Sequence, residues 1–440
     1  MSFGYARKAI REAINRGADQ VEVRIYLTRG RRMLLENNRL TYFEAPEYSN
    51  AVIMAVGSKK IGVARCNGLN EKIILDTVDK AVASMKAAAP DPDFETLLQY
   101  SGPYPTVEVY DKRVVEVSSE ELVEICREAV ETVKENHGTI AQGEIYLGER
   151  EEILLNSEGV EAKGRSTRID FNITLYVSSD TSSSEGFIRR GRRFLEDLNL
   201  REDLEKLLEQ TRLTLNPRKV EGGVVDVILG PDAVEDLFLG PLSVAINGDN
   251  IRKGRSAFLG KIGAEVASAG FTLIDDGLLN RGYRSSPFDG EGYPCRRKIV
   301  IEKGVFKEML LDNYTALKLG RSSTGNAGLT RPPPSVTPTN LIVAPGTATL
   351  EEMIREVRKG IYLPRATATF VNPVTGAFSA ELRQALKIEN GEIRGPVRWG
   401  MLSGNVFEML KKIYLIGKKQ EKLSDTITPP ILVKGVAVEA

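Results

Sequence analysis

The first part of the chain alternates between helical and strand patterns. Apolar residues recur with helical spacing over residues 2–15, at Phe3, Ala6, Ile10 and Ile14. Apolar and polar residues then alternate, as they do in half-buried strands. This alternation predicts strands over residues 21–27, 31–42, 50–56 and 61–66. A second helical pattern runs from residue 70 to about residue 88, so the segment predicts a helix–four-strand–helix unit.

The same order of elements recurs later in the chain. Helical patterns cover residues 118–135 and 200–212, and serine at 118 or 119 is a favourable N-cap for the first of them. The sequence between them predicts four strands, over residues 141–147, 152–156, 168–177 and 185–190. Ile25, Tyr26 and Leu27 recur 120 positions later as Ile145, Tyr146 and Leu147. We therefore expect an internal duplication within an N-terminal domain of residues 1–220, with chance similarity of two amphipathic hairpins as the alternative.

The pattern changes after Pro217. Residues 224–229 form a nearly continuous apolar run, which is typical of a strand buried on both faces. A helix is predicted from Pro231 to about residue 246, and Gly240-Pro241 should kink or break it. After residue 246 the sequence predicts a glycine-rich loop at 247–282 and an extended proline segment at 332–334. It also predicts a strand at 340–343, helices at 349–360 and 404–413, and further short strands. The expected fold class is α+β, with a strand-rich mixed C-terminal domain of residues 221–440.

The composition limits the chemistry. Lys and Arg number 60, as do Asp and Glu, and a formal charge of 0 argues against direct nucleic-acid binding. The only histidine is His137, so this chain alone cannot build a site with two or three histidine ligands. The three cysteines are far apart, which favours a reducing compartment. No apolar run approaches the ~20 residues of a spanning helix, and the N-terminus lacks an apolar signal segment, so we expect a cytoplasmic protein without membrane contact.

A small polar loop is the strongest candidate for ligand binding. It runs from Arg321 to Gly328, contains two glycines, and would let backbone N–H groups approach an anion or a peptide carbonyl. We assign substrate binding to Ser323, Thr324, Gly325 and Asn326. A rigid proline segment follows, and an extended segment beside such a loop suits a peptide-binding groove. A plain surface loop is the alternative interpretation.

Three other motifs have simpler explanations. Residues 247–250 resemble the start of a calcium loop, but Phe258 stands where the closing glutamate should be. Asp275 and Asp276 are adjacent, so in a strand their side chains point to opposite faces, and the following glycine indicates a turn. Two basic neighbours of Cys295 should lower its thiol pKa, but a catalytic thiol would also need a base. We interpret these motifs as structural, and we expect Trp399 in the core.

Several short motifs, in this order along the chain, resemble the TldD/TldE (PmbA) family. They are Asn156-Ser157-Glu158-Gly159, Gly248-Asp249, Arg252, Gly254, Ser256, Val266-Ala267-Ser268, Asp275-Asp276-Gly277, Ser323-Thr324-Gly325-Asn326-Ala327 and Pro345-Gly346. The resemblance covers essentially the whole chain. It implies a cytosolic peptidase assembly in which TldD carries zinc, TldE is a related partner, and unfolded peptides are degraded in a closed cavity. Some members of the family were first described as modulators of DNA gyrase.

The chain departs from the zinc-bearing branch at its metal motif. The positions of the HExxxH residues of that branch fall on Leu239, Gly240 and Val244, and no cysteine follows Cys295. Zinc hydrolysis needs three protein ligands, an open position for water and a general base. The resemblance therefore implies a TldE/PmbA-like subunit with no catalytic residues, metal ligands or cofactor of its own. Zinc would be in a TldD-like partner, the ligands would be peptides, and the isolated chain would form a homodimer.

Two other functions stay open on the residues alone. One is a metal-independent hydrolase that uses clustered carboxylates or the loop of residues 322–324. The other is a regulatory protein of the DNA gyrase modulator type, which would act through protein contacts because the chain is neutral.

Overall fold

The computed structural model describes residues 3–328 and 335–440. The predicted proline segment at 332–334 and the first residue of the predicted N-terminal helix lie outside these ranges. The first unit consists of α1 (Gly4–Asn15), β1 (Gln20–Glu36), β2 (Arg39–Glu44), β3 (Glu47–Gly57), β4 (Lys60–Asn67) and α2 (Glu71–Ala87). The second consists of α3 (Lys112–Glu116), α4 (Ser119–Glu135), β5 (Gly138–Asn156), β6 (Glu161–Ser178), β7 (Ser183–Arg192), a 3-10 turn (Leu195–Asp197) and α5 (Leu200–Arg212).

The strand count of the second unit differs from the prediction. It has three strands rather than four, because the segments predicted at 141–147 and 152–156 are one strand, β5. The charged residues between them continue the strand, and Arg150 among them lines a polar cavity. In the first unit β1 likewise continues through the predicted break, and the chain turns at Asn37 and Asn38, which both have positive φ. Asparagine tolerates this conformation better than most residues do.

The two units share one antiparallel sheet with the order β4-β3-β1-β5-β6-β7, and β2 pairs with β1. β1 and β5 are adjacent at its centre, where Gly30 lies opposite Gly148. Helices cover one face, so Val23 and Ile25 pack in the core beside α1 and α2. The other face carries charged side chains, and it faces loops of the C-terminal half.

The C-terminal half forms two further sheets. Its elements are β8 (Arg218–Lys219), β9 (Gly223–Leu229), α6 (Pro231–Val234), α7 (Gly240–Ala245), α8 (Gly248–Arg252), β10 (Leu273–Asp276), β11 (Arg297–Glu302), β12 (Val305–Phe306), α9 (Asn313–Lys318), β13 (Leu341–Val343), α10 (Leu350–Arg355), β14 (Lys359–Leu363), β15 (Thr367–Val371), β16 (Ala377–Glu381), β17 (Ala385–Glu389), β18 (Glu392–Arg398), β19 (Met401–Asn405), α11 (Val406–Lys411), β20 (Ile413–Ile416), β21 (Glu421–Lys422), β22 (Thr426–Thr428) and β23 (Ile431–Glu439). The ten-stranded sheet has the order β15-β16-β19-β23-β9-β14-β17-β18-β8, with β20 beside β23. The six-stranded sheet has the order β12-β11-β10-β13-β22-β21. The mixture of large, mainly antiparallel sheets and separate helices confirms the α+β fold class.

The apolar run at the start of this half is a central strand, as predicted. β9 lies between β23 and β14; Val227 and Leu229 pack into one core cluster, and Ile228 packs into another beside α10.

The helical segment that follows β9 continues through a π-helical turn at Glu235–Leu239. The disturbance predicted at Gly240-Pro241 is thus a single helical turn that is wider than an α-helical turn and lies just before α7. A wider turn is one way to accommodate a proline, which lacks the N–H of a regular helix.

Two further observations complete the comparison with the sequence. Trp399 is 58% exposed, so the expectation that it lies in the core was wrong. In the described parts of the chain, no helix is both long and apolar enough to cross a membrane.

Candidate functional site

A cavity of about 520 Å³ lies between the charged face of the N-terminal sheet and loops of the C-terminal half. We call its first side the sheet wall, formed by Arg150, Glu152, Gly164, Arg165, Ser166, Arg168 and Arg193. We call its second side the loop wall, formed by residues 283–289, Cys295, residues 325–328 and residues 337–339. Ligand sites in proteins commonly have volumes of roughly 300–1,000 Å³, so the cavity is large enough for a small ligand or a few residues of peptide.

The four residues assigned to substrate binding divide into two pairs. Ser323 and Thr324 are buried and bond to Leu311, whose backbone N–H donates to Thr324 Oγ1 at 2.7 Å. Ser323 Oγ donates to the Leu311 carbonyl at 3.3 Å. These two side chains therefore hold the loop in place and are not among the lining residues. Gly325 and Asn326 do line the cavity.

A buried ion pair lies behind the loop wall. Asp275 Oδ2 lies 2.9 Å from Lys298 Nζ, and both side chains are fully buried. Lys298 also donates to the Thr324 carbonyl at 3.0 Å, and Asn326 Nδ2 donates to Asp275 Oδ2 at 2.9 Å. The N–H and hydroxyl of Thr339 donate to Asp275 Oδ1 at 2.6 and 2.9 Å. Each charge is thus compensated by neighbours, as a buried charge requires.

This arrangement answers the question raised by the adjacent aspartates. Asp275 belongs to the buried network, whereas Asp276 Oδ1 accepts the Leu278 N–H at 2.9 Å just after β10 ends. The two carboxylates therefore serve different structural purposes and form no acid pair. Lys298, the cation that makes the burial of Asp275 possible, had no role in the sequence prediction.

Asp289 is the carboxylate of the loop wall. Its Oδ1 accepts the backbone N–H groups of Glu291 and Tyr293, and its Oδ2 accepts that of Ala327, each at 2.9 Å. Burial raises the pKa of Asp289 to about 6, despite these three donors. Burial also raises the pKa values of its neighbours Glu291 and Asp312. The three hydrogen bonds fix Asp289 as a brace between the two loops that form this wall.

Cys295 also lines the cavity, but it is 3% exposed. Burial raises the pKa of its thiol, and this outweighs the lowering by nearby Lys298. The expectation that basic neighbours would lower this pKa was therefore wrong, because desolvation dominates. A neutral thiol at this position does not act as a nucleophile.

The cavity has a cationic lining that the sequence did not reveal. Five arginines line it, against the two carboxylates Glu152 and Asp289; the arginines are Arg150, Arg165, Arg168, Arg193 and Arg284. Arg165 pairs with Glu149 at 2.8 Å, and Arg284 pairs with Asp425 at 2.5 Å. These carboxylates lie outside the cavity lining. The arginines come from distant parts of the chain, and only the fold brings them together.

The helix at residues 231–245 offers no metal ligands where the resemblance would place them. Leu239 and Val244 have hydrocarbon side chains, and Gly240 has none. Within residues 3–328 and 335–440, no group of three or more His, Cys, Asp or Glu side chains is arranged to hold a metal ion. The described residues therefore do not fit a hydrolytic zinc ion, and we derive no reaction step through one.

Comparison with known proteins places this architecture in a family. Residues 222–440 match the PmbA/TldA metallopeptidase C-terminal domain, and residues 112–215 match the central domain of the same proteins. A metalloprotease of Methanothermobacter thermautotrophicus is 31% identical over 60% of this chain and 59% of its own length. The metalloprotease PmbA of Escherichia coli O157:H7 is 25% identical over 86% of this chain and 85% of its own.

A solved structure agrees over the full length. TldE from Thermococcus kodakarensis superposes with a TM-score of 0.92 at 24% identity, covering 99% of this chain and 100% of that one. At this identity the likeness establishes the fold, while the two domain matches establish the family. The chain belongs to the PmbA/TldD family of metallopeptidase-related proteins.

Proposed function

We propose that this chain is the zinc-free subunit of a cytosolic peptidase assembly. It would bind unfolded peptide and complete the chamber, while a TldD-type partner would supply zinc. The observation that carries the proposal is the combination of family membership with Leu239, Gly240 and Val244 at the positions where the resemblance places the metal motif. A protein of this family that lacks the ligands has its most direct role beside a relative that has them.

The cavity supports the peptide-binding part of the proposal. Gly325 would contact the substrate through its backbone. Ser323, Thr324 and Asn326, which is 1% exposed and donates its amide to Asp275 and Thr337, would hold the loop that carries it. Gly325 has no side chain, because a Cβ atom there would lie 2.7 Å from the Pro294 carbonyl oxygen, and it would therefore present only backbone groups to a peptide. The apolar side chains Pro287 and Pro338 lie in the same lining and suit the side chains of an unfolded peptide.

Co-expression with an HExxxH-bearing relative tests this function. The two chains should co-purify, and the pair should cleave an unstructured peptide faster than the HExxxH-bearing chain alone. A partner with its HExxxH glutamate changed to glutamine is the control, and the pair containing it should be inactive. If the pair forms but cleaves no faster than the HExxxH-bearing chain alone, the subunit role is wrong.

The geometry gives less support to a stand-alone hydrolase. Such an enzyme needs a carboxylate that is free to move a proton, and Asp289 is the cavity residue with a suitably raised pKa. Its two oxygens, however, already accept three backbone N–H groups. The alternative loop nucleophiles Ser323 and Thr324 are turned toward Leu311 and lie outside the cavity lining.

A further inference from the structure

We propose that the cavity binds the free C-terminal carboxylate of a peptide, with Arg193 as its principal partner. This inference rests on the proposed peptide-binding function and adds a substrate class to it. The recognised feature would be the end of a peptide, independent of its sequence.

Arginines are concentrated in the lining of this cavity. The whole chain has a formal charge of 0, yet the lining of this one cavity has five arginines and two carboxylates. A partly enclosed site screens the interaction of these charges with an anion less than bulk water does. Four of the five arginines are paired with carboxylates, so Arg193 is the arginine of the lining whose charge favours a ligand with an anionic group.

Backbone carbonyls hold the Arg193 guanidinium in place. It donates to the Thr167 carbonyl at 2.7 Å and to the Gly282 carbonyl at 3.4 Å. Within the described ranges, it forms no ion pair with a carboxylate, whereas Arg150, Arg165, Arg168 and Arg284 each have one. Its two backbone contacts hold the half-buried guanidinium in a fixed position at the cavity. A planar guanidinium that is already oriented can bind a carboxylate through two parallel hydrogen bonds.

Apolar groups lie beside the arginines in the lining. Pro287 and Pro338 supply apolar surface there, and the Tyr283 ring lies 5.8 Å from the Arg193 guanidinium carbon. An apolar surface next to a cation suits the last residue of a peptide, which has a side chain and a carboxylate on the same carbon. Inorganic phosphate would not use the apolar surface, and a nucleic acid would need a longer basic path than a cavity of about 520 Å³ provides.

The decisive experiment changes the ligand and leaves the protein intact. Binding of an N-terminally labelled tetrapeptide, three alanines followed by phenylalanine, is measured by fluorescence anisotropy with the full chain. The peptide is used as the free acid and as the C-terminal amide. The acid should bind at least about tenfold more tightly than the amide, because a hydrogen-bonded charge pair is lost in the amide.

Two variants assign the effect to the cavity. Arg193→Gln should abolish the preference for the acid. Arg394→Gln is the matched control, because Arg394 lies on β18, is 48% exposed and pairs with Glu392 away from the cavity. This control should keep the wild-type preference. An Arg193→Gln chain that folds and still prefers the acid as strongly as wild type would overturn the assignment.

The remaining outcomes separate this inference from the proposed function. If wild type binds acid and amide equally, the carboxylate inference fails while peptide binding stands. If neither peptide binds, both fail. Inorganic phosphate or a single-stranded oligonucleotide that displaces the acid at a concentration below that of the peptide would also overturn the inference, since the cavity would then serve another anion. The acid–amide comparison in wild type decides the matter even if Arg193→Gln does not fold.

Discussion

The two walls of the cavity use charge in opposite ways. Behind the loop wall, Asp275 and Lys298 are fully buried and bonded to each other and to their neighbours. On the sheet wall, Arg165 and Arg168 are 46% and 59% exposed and form ion pairs that water can reach. The first arrangement fixes the shape of a loop, whereas the second leaves cationic groups facing a solvent-accessible space. Charged residues beside a candidate site thus need not share a role, and burial distinguishes scaffold from binding surface.

The largest effect should come from breaking the buried pair. Lys298→Met removes the cation and leaves Asp275 without its compensating charge. We expect the free energy of unfolding to fall by about 3–5 kcal/mol, as when one partner of a buried ion pair is lost. Chemical denaturation of the full chain measures this change.

The adjacent residue provides the control. Arg297 is on the same strand but is 54% exposed, and its nearest carboxylate, Asp276, is 3.7 Å away. Arg297→Gln should change the free energy of unfolding by less than about 1 kcal/mol. Equal losses from both variants would contradict the distinction between the buried pair and the exposed pairs.

A smaller loss should follow from adding one carbon to the loop wall. Gly325 has a φ of +75°, and a Cβ atom there would lie 2.7 Å from the Pro294 carbonyl oxygen. Gly325→Ala should lower the free energy of unfolding by about 2 kcal/mol, because both the backbone conformation and the contact are unfavourable.

Gly320 is the matched control for this change. Its φ is also positive, at +60°, but a Cβ atom there would meet nothing within 4 Å. Gly320→Ala should therefore show the conformational effect alone, and the difference between the two variants measures the close approach to Pro294. If both alanine variants lose the same stability, the loop wall is not tightly packed at Gly325.

The local elements of the fold could be read from the sequence. α5 spans Leu200–Arg212, the residues predicted, and α4 begins one residue after the predicted start. Ser118 and Glu121 form a capping box, so the signals that start this helix are adjacent in sequence. Where capping and periodicity are local, the sequence alone defines the element.

The cavity could not be read in the same way. Arg150, Arg193 and Arg284 come from separate segments, and no pattern within any one of them indicates that they meet. One signal was present but was interpreted as a break between two strands: the charged residues 149–152 interrupt the apolar alternation of β5. Charge in the middle of a long strand can also mark a face that is turned toward a polar cavity. Whether such charges mark the end of a strand or a face turned toward a cavity depends on how the strand pairs with its neighbours in the sheet. Those neighbours are far away in sequence.

On the sheet wall, removal of a charge should have little effect on stability. Arg168→Gln breaks an ion pair with Asp170, whose side chain is 23% exposed. We expect the free energy of unfolding to change by less than about 1 kcal/mol, because solvated ion pairs contribute little. Chemical denaturation next to the Lys298→Met variant gives the comparison directly. A loss of several kcal/mol would mean that the sheet wall is also part of the structural scaffold.

The smallest effect should appear in the pH dependence of ligand binding, because Asp289 is a titratable carboxylate of the loop wall that lines the cavity. Burial raises its pKa to about 6, and although burial lowers the pKa of Arg193 to about 10, that group stays charged below pH 8. A peptide carboxylate, with a pKa of roughly 3.5, stays ionised above pH 5. As the pH falls from 7 to 5, Asp289 becomes neutral and the cavity loses one negative charge, so the free-acid peptide should bind more tightly. We expect a gain of about threefold in affinity, since such charges in a partly solvated cavity interact by less than about 1 kcal/mol.

Anisotropy titrations of the free-acid peptide between pH 5 and pH 7 measure this gain. Asp289→Asn should flatten the pH profile of binding. An equally steep profile in that variant would show that another group is responsible.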